Sequence, residues 1–431
     1  MQQAQARLVS QAKAVARNYN DCYIKGEVRA GARMKFDMFY EVQSARPWPA
    51  NHEQALYRET LEQARLADRS GFETWWQVEH NATPEFSYSS APDLWLAAVA
   101  LNTKRMRIGH SGVIGRHRVN HPLKVAARTA TLDIMSDGRL DVGLAVSGGK
   151  EWASFGADPR TSAEEYQELF EMLPKMWTQP DFQWESPHIS IPKRAVTPHP
   201  VQRPHPPLWQ TAGSPKSFRM AGRRGVGLLA LTILNPVSSM DALLREYEAG
   251  LAECEEPVGM FANPQRAVFT FVHVAESRAK SIANGAAWSA LWYVLAGPKN
   301  FQVPLSAYFS LFRSAAHPNS QSSDQYKLDI IGDDGVDPTV LTPEEGDTPI
   351  ISLIKRMARG DHVSNEEAHE LLEQIDSIVI GDPDHCAAKF EGYRKIGTDR
   401  MMCMMQFGRI AHDAVTRSIE LTAEHHLGRV S

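Results

Sequence analysis

The chain has 431 residues and a net charge of −5, and its 43% hydrophobic and 23% charged residues are typical of a globular protein with a large core. This mildly acidic composition gives no electrostatic reason to expect binding to nucleic acid or to an anionic membrane, and no run of about 18 apolar residues could span a bilayer. The four cysteines lie far apart without a CxxC pair, which indicates neither a disulfide framework nor a zinc site. We therefore expect a cytoplasmic protein without a bound metal.

The first 33 residues differ in composition from the rest of the chain. They contain six Lys and Arg residues against Asp21 and Glu27, and they lack the apolar region of a secretory signal. A transit peptide is one interpretation, but a flexible extension or an upstream start codon is favoured, because the strand-like segment MKFDMFY begins at Met34. We predict a flexible extension over residues 1–33 and a folded domain over residues 34–431.

Short apolar runs alternate with helical patterns from Met34 onward, which is typical of βα units and a mostly parallel sheet. Several of the runs are almost continuously apolar, as strands covered on both faces should be. The alternation predicts an α/β fold, a closed (β/α)8 TIM barrel with insertions, rather than an open doubly wound sheet. The eight predicted strands are residues 35–40, 73–79, 106–114, 139–145, 208–212, 226–231, 266–274 and 400–407.

Two stretches interrupt this alternation. Residues 179–207 are rich in proline and are predicted to form an irregular excursion with room for a short hairpin. Residues 297–348 form a longer insertion, in which residues 321–348 carry eight acidic side chains against the single Lys327. Such a polar stretch predicts a mobile, lid-like surface loop.

Polar residues that follow the strands are the candidates for a site, because barrels bind ligands at the C-terminal ends of their strands. Glu79 and His80 directly follow the second predicted strand, in the segment GFETWWQVEHN. An imidazole can take up a proton near neutral pH, so His80 could act as a general base with Glu79 orienting it. The alternative is that both residues simply cap the strand in solvent.

The segment TAGSPKS (211–217), after the fifth predicted strand, has the features of an anion site. Gly213 allows close approach of the backbone, Ser214 can cap a helix and Pro215 suits its first position, so free amides there would bind a phosphate. A Ser-Pro cap also begins many helices that bind nothing. The chain has no GxSxG, GxxxxGK[ST] or HExxH motif, and no GxGxxG after a strand, which would have indicated other chemistry.

Four segments, in the same order along the chain, resemble the bacterial luciferase-like flavin monooxygenases. They are GFETWWQVEH (71–80), NHPLKVAARTATLDIMSDGRLDVG (120–143), AGSPKSFRMAGRRGVG (212–227) and IGDPDHCAAKFEGYRKIGTDRMMCMMQFG (380–408). The resemblance runs from Met34 to about His426. It implies a (β/α)8 barrel that binds reduced FMN at the strand ends, reacts it with O2 and holds a flavin hydroperoxide away from water.

The resemblance also implies roles for individual residues. His80 matches a catalytic base near the flavin, and Ser111–Gly112 matches a cis non-prolyl peptide beneath the isoalloxazine ring. Ala145 matches a position beside the reactive face of the flavin. The residues that match phosphate contacts are Gly213, Ser214 and Ser217.

The sequence departs from the family pattern at two positions. Asn81 replaces a histidine that is usual in the luciferases, which favours a metabolic monooxygenase over light emission. Val146 replaces a phosphate-contacting arginine, so the phosphate charge is expected to meet helix-end amides together with Arg116, Arg118 or Lys216.

The resemblance implies a two-component FMN-dependent monooxygenase that oxygenates a small organic substrate. Because no nicotinamide site is visible, we expect a separate flavin reductase to supply reduced FMN by diffusion, with O2 as co-substrate, and a homodimer is expected by resemblance. Two alternatives stay open. One is a deazaflavin-dependent dehydrogenase or reductase on the same barrel, and the other is a flavin-binding partner subunit without turnover.

Overall fold

The computed structural model of the protein describes residues 33–301 and 347–427, apart from residues 46, 85, 232, 233 and 235. Parallel strands alternate with helices along most of this range. The strands are β1 (Lys35–Tyr40), β2 (Thr74–Gln77), β3 (Arg107–Ile114), β4 (Leu140–Ala145), β5 (Phe182–Glu185), β6 (Ser190–Arg194), β7 (Leu208–Ala212), β8 (Gly227–Ala230), β9 (Arg266–Val274), β10 (Val379–Gly381) and β11 (Arg400–Met404).

Eight of these strands close into a barrel in the order β1-β2-β3-β4-β7-β8-β9-β11, and β11 pairs with β1 to complete the ring. All neighbours in the ring are parallel. The predicted (β/α)8 TIM barrel is confirmed, and each of its eight strands overlaps a predicted one. The three-residue β10 was not predicted, and it pairs with β9 beyond the point where β8 ends.

Helices connect the strands and cover the outside of the barrel. They are α1 (His52–Ser70), α2 (Pro92–Asn102), α3 (Pro122–Met135), α4 (Gly149–Ser154), α5 (Ser162–Thr178), α6 (Pro215–Arg223), α7 (Val237–Ala252), α8 (Arg278–Ala283), α9 (Ala286–Phe301), α10 (Pro349–Arg359), α11 (Asn365–Glu373), α12 (Pro383–Lys395) and α13 (His412–Thr422). Helix α1 ends at Gly71, whose φ of 95° is accessible to glycine at little cost. Among the described residues, no helix is long and apolar enough to cross a membrane.

The proline-rich excursion at residues 179–207 contains the antiparallel hairpin of β5 and β6. Apart from Arg33, the predicted extension at residues 1–33 lies outside the described residues. The predicted lid-like insertion at residues 297–348 lies outside them as well, except for residues 297–301 and 347–348. Both assignments remain predictions.

A polar cluster inside the barrel joins three strands where the ring closes. Arg400 on β11 donates from Nε and Nη2 to the two carboxylate oxygens of Asp37 on β1, at 2.7 and 2.8 Å. The same guanidinium donates to Thr74 Oγ1 at 2.6 Å, and the Trp76 indole donates to Asp37 at 2.9 Å. Arg400 and Asp37 are buried, so the ion pair depends on these contacts in place of water.

Two large indoles fill the barrel interior beside this cluster. Trp76 and Trp209 meet edge to face with ring centroids 5.1 Å apart. Each lies against a glycine of a neighbouring strand, and a Cβ atom on Gly109 or Gly227 would come within 2.4 or 2.3 Å of the indole carbons. The two glycines therefore make room for the tryptophans that pack the barrel.

We predict that Arg400→Met lowers the free energy of unfolding by about 3–5 kcal/mol, because it leaves Asp37 as a buried carboxylate without its cation. Equilibrium unfolding in urea measures the change. Arg394→Met is the matched control, since Arg394 pairs with Glu391 on the exposed side of α12 and such pairs contribute about 0–1 kcal/mol. Equal losses in the two variants would contradict a structural role for the buried pair.

Candidate active site

A cavity of about 280 Å³ lies at the C-terminal ends of the barrel strands. Five of the residues selected from the sequence line it, namely Glu79, His80, Ser111, Gly112 and Ala145. Its apolar wall consists of Phe39, Val78, Leu231 and Phe269, and its remaining lining residues are Glu41, Ser147, Thr211 and Tyr293. Most of the site residues predicted from their positions after the strands therefore lie together in one cavity.

The peptide bond between Ser111 and Gly112 is cis, at the position that the resemblance indicates. The pairing of β3 with β4 shifts its register at this point, between His110 and Val113. A Cβ atom on Gly112 would come within 2.8 Å of the β4 backbone, so only glycine fits there. The buried Ser111 hydroxyl has no hydrogen-bond partner among the described residues, which suits a polar ligand atom in the cavity.

The three predicted phosphate contacts lie together at the beginning of α6, two residues beyond the cavity-lining Thr211. Ser214 caps the helix and accepts from the amide of Ser217 at 3.3 Å. The Ser217 hydroxyl oxygen accepts from the amides of Gly213 and Ser214 at 3.2 and 2.9 Å. These residues do not line the cavity itself but form a loop at its edge, with amides at a helix N-terminus.

The three cations expected near a phosphate have different locations. Arg116 is buried, donates to the Asp158 carbonyl oxygen and lies 5.0 Å from the centroid of the Trp152 ring. Arg118 lines a separate groove beside α3. Lys216 is exposed in the first turn of α6, next to Ser217. Of the three, Lys216 is therefore the one beside the predicted phosphate loop.

His80 lies between two carboxylates that the sequence analysis did not select. Its Nδ1 is 3.2 Å from Glu151 Oε2, and its Nε2 is 3.5 Å from Glu41 Oε2. Glu151 belongs to α4, and its carboxylate also accepts a hydrogen bond from the backbone N–H of Asn81 at 2.5 Å. Within the described residues, no group of three or more His, Cys, Asp or Glu side chains is placed to hold a metal ion. An imidazole within 3.2 and 3.5 Å of two carboxylates forms a cluster suited to proton chemistry.

Glu79, which the sequence analysis assigned to orienting His80, makes other hydrogen bonds. Its Oε2 accepts from the Ile114 amide and from Asn120 Nδ2, both at 2.9 Å. These bonds hold the end of β3, which carries the cis peptide. Glu41 directly follows β1, so its position after a strand makes it predictable from the sequence. Glu151 is 71 residues from His80, and no local sequence pattern indicates that the two meet.

The family model described as luciferase-like monooxygenase matches residues 34–400. The chain belongs to this family. A relative in the family, the oxygenase component of a flavin-dependent trigonelline monooxygenase from Acinetobacter baylyi, is 27% identical over 247 residues, or 57% of this chain and 66% of that protein. An F420-dependent glucose-6-phosphate dehydrogenase from Amycolatopsis mediterranei is 26% identical over 222 residues, or 49% of this chain and 64% of that protein. Both alignments span less than two thirds of the relative.

Solved structures with the same fold include monooxygenase RslO1 from Streptomyces bottropensis, with a TM-score of 0.68 and 22% identity over 91% of this chain and 99% of that one. The oxygenating constituent of 3,6-diketocamphane monooxygenase from Pseudomonas putida, in complex with FMN, has a TM-score of 0.66 and 16% identity. That match covers 93% of this chain and 99% of the other. These likenesses confirm the luciferase-like barrel.

The charges around the cavity of this luciferase-like protein favour a protonated histidine. Burial lowers the pKa of His80, but the carboxylates of Glu41 and Glu151 outweigh it and raise the pKa to about 9. Burial raises the pKa of Glu151, but its bonds to His80, Ser147 and the Asn81 amide bring it below the usual value. His80 is therefore a cation at neutral pH in the ligand-free protein, rather than a free base.

We predict that the His80 ring titrates near pH 9 in the ligand-free protein and that Glu151→Gln lowers this pKa, because one of the two carboxylates becomes neutral. NMR of protein labelled with ¹⁵N-histidine measures both values, and His80→Gln assigns the signal. Because the folded pKa exceeds the ordinary 6.5, protonation of His80 stabilises the fold below about pH 6.5, and this contribution is lost as the pH rises through about 9. Titration near 6.5 in both proteins would contradict the cluster.

Proposed function

We propose that this protein is the oxygenase component of a two-component flavin-dependent monooxygenase. It would bind reduced FMN delivered by a separate reductase and use O2 to oxygenate a small organic substrate, with one oxygen atom entering the substrate and the other leaving as water. The observation that carries this proposal is the apolar cavity at the strand ends of a luciferase-like barrel, with a mostly buried imidazole between two carboxylates. The relative named as an oxygenase component supports a reductase partner.

The residues around the cavity fit a reduced flavin. Phe39, Val78 and Phe269 offer an apolar wall to the ring system, and the buried Ser111 hydroxyl offers a hydrogen bond to its polar edge. The loop at the beginning of α6 and the adjacent Lys216 would hold the phosphate. Reduced FMN, when bound, would supply the two electrons that activate O2.

The chain itself would exclude water and stabilise negative charge. Tyr293 and Phe86 pack against each other with ring centroids 5.0 Å apart, and the His80 ring lies edge-on to Phe86 at 5.5 Å. This aromatic cover keeps the charges in a medium of low polarity, where the His80 imidazolium interacts more strongly with negative charge developing on oxygen. The proposed role of His80 is thus that of a fixed cation facing the cavity.

A deazaflavin-dependent dehydrogenase or reductase is the second candidate. The F420-dependent relative favours it, as does Val146 in place of an arginine that contacts the FMN phosphate in the family pattern. Such an enzyme transfers hydride and consumes no O2. The third candidate, a partner subunit without turnover, would leave the His80 cluster without a function.

We predict that reduced FMN bound to the protein reoxidises more slowly than free reduced FMN in solution. The reason is that the cavity excludes water and controls access of protons. The measurement mixes anaerobically loaded protein with oxygenated buffer in a stopped-flow instrument. Substrate turnover should fall by about 100-fold or more in His80→Ala, the usual scale for losing one group that stabilises developing negative charge. His362→Ala, at an exposed position after α10, is the matched control and should keep full activity.

Reoxidation at the rate of free FMN, together with tight binding of a reduced deazaflavin, would contradict this proposal and support the second candidate. Unchanged turnover in His80→Ala would remove the assigned role of that residue.

The homodimer expected from the resemblance would form, we propose, through α2 and α3. These helices pack against each other and carry apolar side chains at the surface. Leu94 and Leu101 on α2 are 77% and 67% exposed, and Ile134 and Met135 on α3 are 42% and 37% exposed. A second copy of the same surface would remove these side chains from water.

We predict that the wild-type protein sediments as a dimer and that Leu101→Glu produces monomers, because the interface would have to bury an unpaired carboxylate. Analytical ultracentrifugation measures the mass. Val201→Glu, at an apolar residue that is 48% exposed in the proline-rich excursion, is the matched control and should remain dimeric. A monomeric wild type, or a Leu101→Glu dimer, would show that the copies do not associate here.

A further inference from the structure

A row of four polar side chains crosses the wall of the cavity. The Tyr293 hydroxyl donates to Glu41 Oε1 at 3.2 Å, and Glu41 Oε2 lies 3.5 Å from His80 Nε2. On the other side of the ring, His80 Nδ1 lies 3.2 Å from Glu151 Oε2. Tyr293, Glu41 and His80 all line the cavity, so a proton held in this row is within reach of a ligand.

The two carboxylates of the row differ in how well they are satisfied. Glu151 is fully buried and is approached by the Asn81 amide at 2.5 Å, by the Ser147 hydroxyl and by His80. Glu41 is almost as buried, but its Oε2 has no hydrogen bond among the described residues and faces His80 only at 3.5 Å. As a carboxylate, Glu151 is therefore stabilised by its hydrogen bonds. The negative charge of an ionised Glu41 is less well compensated.

We propose that Glu41 takes up and releases the proton of this cavity near neutral pH, while His80 remains the fixed cation between the two carboxylates. Two ionised carboxylates and one imidazolium leave a net charge of −1 in a buried site, which is unfavourable without water or a second cation. A proton on Glu41 removes that charge and lets the carboxyl group donate toward the cavity. The role in turnover rests on the proposed monooxygenase function.

The charged groups around Glu41 agree with this arrangement. Burial raises the pKa of Glu41 to about 7, against the opposing effects of His80 and of the Tyr293 hydrogen bond, and the negative charge of Glu151 adds to the increase. Glu79 also faces the cavity, and burial raises its pKa as well, while the hydrogen bonds from the Ile114 amide and Asn120 oppose this increase. His80 keeps its own proton to a higher pH than Glu41 does.

The proton balance of the proposed reaction gives Glu41 a defined task. When one atom of O2 enters the substrate and the other leaves as water, the substrate provides two of the four electrons, and two further electrons and two protons have to be supplied. Reduced flavin bound as its anion would supply both of these electrons and one of the protons, so the second proton would have to come from the protein or from solvent. The Glu41 carboxyl group, which borders the cavity, would supply it and would regain a proton from solvent before the next turnover.

The first test uses the protein without flavin. Infrared difference spectra recorded between pH 5 and pH 9 should show a protonated-carboxyl band that titrates near pH 7. We expect Glu41→Gln to remove this band and Glu79→Gln, at the other buried carboxyl group of the cavity, to retain it. Loss of the band in Glu79→Gln and its persistence in Glu41→Gln would overturn the assignment.

The second test measures the pH dependence of substrate turnover with reduced FMN and O2. The wild type should lose activity as the pH rises through about 7, the value at which Glu41 loses its proton. Tyr293→Phe removes a hydrogen bond that lowers the Glu41 pKa, so the loss of activity should move to higher pH. Glu41→Gln should lower kcat with a smaller effect on KM, and its turnover should no longer change as the pH rises through about 7.

The outcomes separate the two proposals. If the Glu41 band titrates but no flavin-dependent O2 uptake occurs, the monooxygenase function fails while the titration of Glu41 stands. If turnover occurs and Glu41→Gln keeps the wild-type pH transition, the role of Glu41 is wrong and the function stands.

Discussion

The buried ion pair between Asp37 and Arg400 is the contact on which the rest of the barrel depends. It joins the first and last strands of the ring across 363 positions of sequence, and further hydrogen bonds reach Thr74 and Trp76 on β2 and Gln265 before β9. A buried ion pair is tolerated when its geometry is good and its other hydrogen bonds are made, so this cluster favours one register of β11, β1 and β2. That register determines which side chains emerge at the opposite ends of the strands.

The cavity end of the barrel contains a second buried charge cluster with a different balance. Between β1 and β11 one guanidinium meets one carboxylate, and the charges cancel. Around His80 two carboxylates meet one imidazole, and they cannot all be ionised without leaving a buried negative charge. A balanced pair stabilises a fold, whereas an unbalanced group of acids and bases titrates within a useful pH range. The first cluster lies within the strands of the ring, and the second lies at their C-terminal ends.

The fold could be predicted from sequence because its strands are covered on both faces and read as short apolar runs between helices. The strand β10 was missed because three residues make no pattern. At the site, His80 was predicted because it follows the second strand, and Glu41 follows β1 in the same way and is predictable on the same ground. Glu151 carries no local signal, because α4 brings it to the ring from 71 residues away. The charges of Glu79 and Arg116 suit the roles predicted for them, orienting His80 and binding a phosphate. Their observed hydrogen-bond partners come from distant parts of the sequence and are visible only in the folded structure.

The serine-rich beginning of α6 has a consequence for the residence time of any phosphorylated ligand. The Ser217 hydroxyl already accepts from the amides of Gly213 and Ser214, so the donors that a phosphate would use have partners within the loop. An arriving phosphate would exchange hydrogen bonds rather than add them, and the net gain in free energy would be small. A flavin held this way would behave as a diffusible second substrate, collected and returned in each cycle. Throughput would then depend on how fast reduced flavin is produced in solution, not on a stored prosthetic group.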